Sequence, residues 1–91
     1  MAGAVPADDV LLHEDEGEAM LLHVSSGRYF GLNRSGVVVW HALVDGHDPA
    51  AALHAAWPRR SLEDCQTDAK ALIDDLVRTG LARVPDDDRT S

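Results

Sequence analysis

Ninety-one residues make one small domain, with room for a single modest core and little depth for an enclosed active site. Apolar residues are 45% of the chain, which argues against wholesale disorder. Acidic residues outnumber basic ones 16 to 8, a net charge of −8, so the chain is poorly suited to nucleic acid and better suited to a basic partner.

Residues 1–9 are Ala, Gly, Pro and Asp in the main and read as a flexible N-terminus. They lack the basic start and apolar run of a signal peptide, and no later stretch approaches membrane-spanning length. A cytoplasmic chain is therefore expected. Val10–His13 is a short apolar run, and Glu14-Asp15-Glu16-Gly17 a charged turn. Glu18–Val24 alternates, with Met20, Leu22 and Val24 on one face and Leu21 and His23 on the other. Ser25-Ser26-Gly27 supplies a hairpin turn, and Arg28–Leu32 the third strand. The three runs predict a small antiparallel sheet.

Helical signals follow. Asn33 can cap a helix whose interior holds Val37, Val38, Trp40, Leu43 and Val44 and which stops at Gly46. Asp48-Pro49 opens a second helix through Ala50, Leu53, Ala56 and Trp57, halted by Pro58. Ser61 and Asp64 open a third, with Leu62, Cys65, Ala69, Leu72, Ile73, Leu76 and Val77 as its apolar stripe and Gly80 beyond its end. Ala82-Arg83-Val84 is a candidate last strand, and residues 85–91 form a flexible acidic tail. Three antiparallel strands followed by three helices make an α+β domain of winged-helix-like order, spanning 10–84. The same order fits other small domains.

The chain offers little that points to catalysis. The spacings of His13, His23, His41, His47 and His54 match no zinc pattern, and Cys65 is the single cysteine, so neither a metal nor an internal disulfide is expected. Cys65 lies on the apolar stripe and reads as a core thiol. The serines fall in turns and caps, with no Gly-x-Ser-x-Gly. Asp74 and Asp75 are adjacent on a helix and so face apart, a poor acid–base couple. No Gly-rich phosphate loop is present. The expectation is a non-enzyme without cofactor.

Binding remains, and one segment points to it. Gly27-Arg28-Tyr29-Phe30-Gly31-Leu32-Asn33, then Val39-Trp40, then Leu43-Val44-Asp45-Gly46, resembles the PqqD-like proteins, also called RiPP recognition elements. The resemblance covers roughly Val10 to Val84. It implies a small module that holds the leader segment of a ribosomally made precursor peptide while other enzymes modify it. The Tyr-Phe-Gly-Leu-Asn run and the Val-Val-Trp helix look most like the stand-alone members of lasso-peptide pathways. Those hand the precursor to a separate leader peptidase, a cysteine protease, and aid a cyclase. The alternative within the family is a peptide chaperone for a radical SAM enzyme. Outside it, a winged-helix transcription factor has the charge of its third helix against it.

By that resemblance the leader adds as a strand to Arg28, Tyr29, Phe30, Gly31 and Leu32, a sheet edge with unpaired backbone groups. The facing helix surface is implied at Asp68, Ala69, Leu72, Asp75, Leu76 and Thr79. Tyr29 and Gly31 share one strand face, while Arg28, Phe30 and Leu32 share the other; alternation alone does not say which enters the core. Asp68 and Asp75 flank Leu72, which suits a basic leader with an apolar anchor and equally fits a solvated acidic face. Asp74 and Arg78, four apart, read as a helix-surface pair.

Overall fold

The computed structural model describes residues 4–84. Its elements are β1 (Val5–Pro6), β2 (Val10–Asp15), β3 (Glu18–His23), β4 (Arg28–Leu32), α1 (Arg34–Asp45), α2 (Pro49–Ala56), α3 (Leu62–Arg78) and β5 (Ala82–Arg83). β2, β3 and β4 pair antiparallel in that order and are followed by three helices, the α+β arrangement expected and one compatible with a winged helix. The acidic tail over 85–91 lies outside the described residues.

Two boundaries differ from those read in the sequence. Part of the segment taken as a flexible N-terminus is paired: Val5–Pro6 lies antiparallel to Ala82–Arg83, and the Ala7 amide donates to the Leu81 carbonyl at 3.0 Å. Ala4, just ahead, is buried against the core. Composition missed this because the gain comes from a partner far along the chain. The candidate last strand accordingly joins β1 and stays apart from the main sheet.

The first hairpin is also tighter than expected. β2 continues through Glu14 and Asp15, leaving only Glu16 and Gly17 as the loop. Both have positive φ, 54° and 84°, the left-handed pair that matches strand twist in a two-residue hairpin. That turn fixes the register Leu12↔Leu21 and Leu11↔Leu22, and so decides which face of the sheet turns inward.

The inward face carries Ala19, Leu21 and Leu32, with Phe30 packed beside them, against Trp40 and Leu43 of α1, Leu76 of α3 and Leu81. A second cluster of Val39, Ala50, Leu53, Cys65 and Ala69 joins the three helices. The strand-to-helix junction is built locally. Asn33 Oδ1 accepts the Gly36 amide at 2.9 Å and the Ser35 hydroxyl at 3.0 Å. Helix α3 starts with Ser61 Oγ accepting the Asp64 amide at 3.0 Å. It ends with Gly80 at φ 84° and the Leu81 amide donating back to the Leu76 carbonyl at 2.9 Å, a closure that drives Leu81 onto Leu76.

Candidate functional site

β4 is the last strand of its sheet, so its outer edge has no ladder partner among the described residues. It packs on α1, whereas α3 packs on α1, α2 and β5; β4 and α3 have no comparable contact with each other. Just past the end of β4, from Asn33 onward, lies a cleft of about 290 Å³. Its walls are Asn33, Ser35, Gly36 and Val39 from the start of α1, Leu53 from α2, and Asp68, Ala71, Leu72 and Asp75 from α3.

The five strand residues have separate fates. Leu32 is buried in the core and Phe30 is half-buried against it. Tyr29 and Gly31 therefore point outward, which resolves the ambiguity left by alternation. Tyr29 is 68% exposed, and Gly31 would meet nothing within 4 Å if it carried a β-carbon, so backbone can approach the strand closely there. Arg28 is exposed at the strand's start, opposite His23. None of the five lines the cleft, which opens beyond the strand at Asn33. On the outer face the register sets Leu11, Leu22 and Tyr29 in one row across all three strands, with Leu11 60% exposed.

The helix residues also divide. Asp68, Leu72 and Asp75 line the cleft. Ala69 and Leu76 do not: both are buried in the core clusters. The Thr79 hydroxyl donates to the carbonyls of Asp75 and Leu76, at 2.9 and 3.1 Å, and is absorbed in its own helix end. The sequence merges two neighbouring stripes. Positions 68, 71, 72 and 75 make one i, i+3, i+4, i+7 face, and 65, 69, 72 and 76 make the next, with Leu72 on the seam. Ala71 was missed because a small exposed residue carries no apolar signal. Asn33, Ser35 and Leu53 were read only as cap, turn or helix positions, and Gly36 and Val39 were not singled out as lining.

Both cleft carboxylates are ion-paired. Arg60, before α3, holds Asp68; Arg78, in the last turn, holds Asp75. The hydrogen bond to Asp68 raises the Arg60 guanidinium above its ordinary value. Asp74 pairs with Lys70 at 3.4 Å, so the Asp74–Arg78 pair expected from spacing does not form. Of the histidines, His41 meets Glu14 at 2.7 Å, and His23 lies 3.3 Å from Asp9 and 2.8 Å from the Ser26 hydroxyl. No group of three or more metal-ligating side chains gathers among the described residues. Cys65 is fully buried. No helix among them is long and apolar enough to cross a membrane.

A free strand edge that runs into a partly apolar cleft walled by a helix is the architecture of a domain that docks an extended peptide. The family described as coenzyme PQQ synthesis protein D (PqqD) matches residues 10–82, and the chain belongs to it. Two solved structures share the fold with TM-scores of 0.78. One is TbiB1 in complex with the TbiA(β) leader peptide, 25% identical, the match covering 86% of this chain and 93% of that one. The other is a lasso peptide synthetase B1 complexed with the leader peptide, 26% identical, covering 92% and 100%. No curated protein matches the chain by sequence.

Proposed function

We propose that this protein is a non-catalytic module that holds the leader segment of a precursor peptide in lasso-peptide biosynthesis. The observation that carries the proposal is the free edge of β4 ending at the cleft beside Leu72. Two structural neighbours solved with leader peptides support it. The leader adds antiparallel or parallel to Arg28–Leu32 through backbone hydrogen bonds and sends an apolar side chain into the cleft past Asn33. Asp68 and Asp75 border the position beside that anchor, each already held by an arginine. The bound precursor then passes, in the cytoplasm, to a separate leader peptidase and a cyclase.

The test is a fluorescence-polarisation titration with the labelled leader of a small precursor encoded beside this gene. Sub-micromolar binding that competes with unlabelled leader and not with a scrambled peptide is expected. Absence of binding by every neighbouring leader overturns the function and leaves the fold standing.

A further inference from the structure

Asp68 and Asp75 lie seven residues apart on α3, on either side of Leu72, and both border the cleft. The arginines that hold them do not border it. Each carboxylate is thus tied from one side and open on the other: the side chains are 53% and 48% exposed. A carboxylate has about four acceptor positions, so an arginine on one side leaves room for a second donor. The two arginines cancel the charge of the two carboxylates where a ligand would meet it. Elsewhere the molecule keeps its net charge of −8, which attracts any basic peptide from a distance without selecting where its cations land.

We infer that Arg60 and Arg78 are built-in competitors that set how strongly the cleft selects for a basic leader. This rests on the leader-binding function proposed above. A ligand Lys or Arg that reaches Asp68 or Asp75 displaces or shares the resident arginine, exchanging one ion pair for another. Exposed pairs of this kind contribute little, so the exchange is close to neutral. Affinity is left to the apolar anchor and the backbone ladder, and leaders differing in charge beside the anchor bind alike. The arginines keep the module tolerant of leader sequence, and their removal makes it a charge reader.

The experiment uses two synthetic versions of the neighbouring precursor's leader, with Lys or with Gln at the residues flanking its apolar anchor. Dissociation constants are measured at low and high salt for the full chain and for Arg60→Gln, Arg78→Gln and the double variant. The unaltered protein is expected to separate the two peptides by less than about twofold, while the double variant tightens on the Lys peptide by about fivefold at low salt and is unchanged on the Gln peptide. Arg60→Lys with Arg78→Lys retains the original tolerance. Equal changes on both peptides, or none on either, overturn the inference while leader binding stands. Failure of the unaltered protein to bind either peptide overturns both. Unchanged circular dichroism shows that the variants remain folded.

Discussion

A β-carbon placed on Gly36 would lie 3.1 Å from Leu32 Cδ2 and 3.2 Å from Leu32 Cβ. Leu32 is buried in the core, so it has little room to retreat. The absent side chain lets the first turn of α1 fold down onto the end of β4, which brings Asn33, Ser35 and Gly36 to the cleft. Gly36→Ala therefore sets two effects against each other. Alanine gains roughly 0.5–1 kcal/mol of helix preference, and the forced contact costs about 1–3 kcal/mol. A net loss of about 1 kcal/mol is expected, lowering Tm by roughly 4–8 °C in thermal unfolding. A variant as stable as the original shows that the junction relaxes freely.

Leu72 and Ala71 are neighbours in sequence with opposite value as probes. Leu72 packs on both core clusters, so Leu72→Asp buries a charge at the seam and is expected to unfold the domain. Loss of leader binding in that variant says nothing about the cleft. Ala71 is exposed and lines the same cleft. Ala71→Arg fills the space while leaving the core alone. It is expected to weaken leader binding by about 2 kcal/mol or more, roughly thirtyfold, with unchanged circular dichroism. Wild-type affinity in Ala71→Arg moves the anchor out of this cleft.

The legible and illegible parts of the molecule separate by range of interaction. Helix starts at Asn33 and Ser61 and stops at Gly46 and Gly80 are written in adjacent residues, and each expected cap is present except a side-chain bond from Asp48. Strand β4 has the bounds its sequence suggests, because Gly27 and Asn33 punctuate it. The β1–β5 pair was hidden because its strands are two residues each and stand at opposite ends of the chain. In the site, the family resemblance implied a helix surface that includes Asp68, Leu72 and Asp75, and these three border the cleft. Ala69 and Leu76, implied with them, lie in the core clusters, one residue round the helix from the cleft face. The arginines on Asp68 and Asp75 lay beyond reach: i, i+4 spacing favoured Asp74 for Arg78, while the side chain turned to Asp75 at i−3.

Tyr29 faces outward beside Leu22, not toward the cleft. An added strand on β4 would place its own outward side chain next to Tyr29 as a cross-strand neighbour, a contact of about 0.2–1 kcal/mol. Tyr29→Ala is thus expected to weaken leader binding by less than about fivefold and to leave the fold intact. A thirtyfold loss puts the main anchor on the outer face, over the Leu11–Leu22–Tyr29 row. The Ala71→Arg variant, titrated in parallel, tells the two faces apart.

The turn after β3 carries a pH-dependent contact. The Ser25 hydroxyl donates to the Asp9 carboxylate and holds it below its ordinary value of 3.8, with desolvation opposing and His23 adding a smaller attraction. A depressed folded-state value means that the folded state binds a proton less readily than the unfolded chain. The contribution to stability is present above pH 3.8 and is lost as pH falls through the folded-state value. Asp9 stays partly open to solvent, with its side chain 40% exposed, which keeps that contribution small, so the titration itself is the better readout. Carbon NMR of the Asp9 carboxyl should give a midpoint below 3.8 in the native protein, moving upward in Ser25→Ala. An unmoved midpoint in Ser25→Ala removes the hydroxyl as the cause and leaves His23 and the turn backbone to account for the shift.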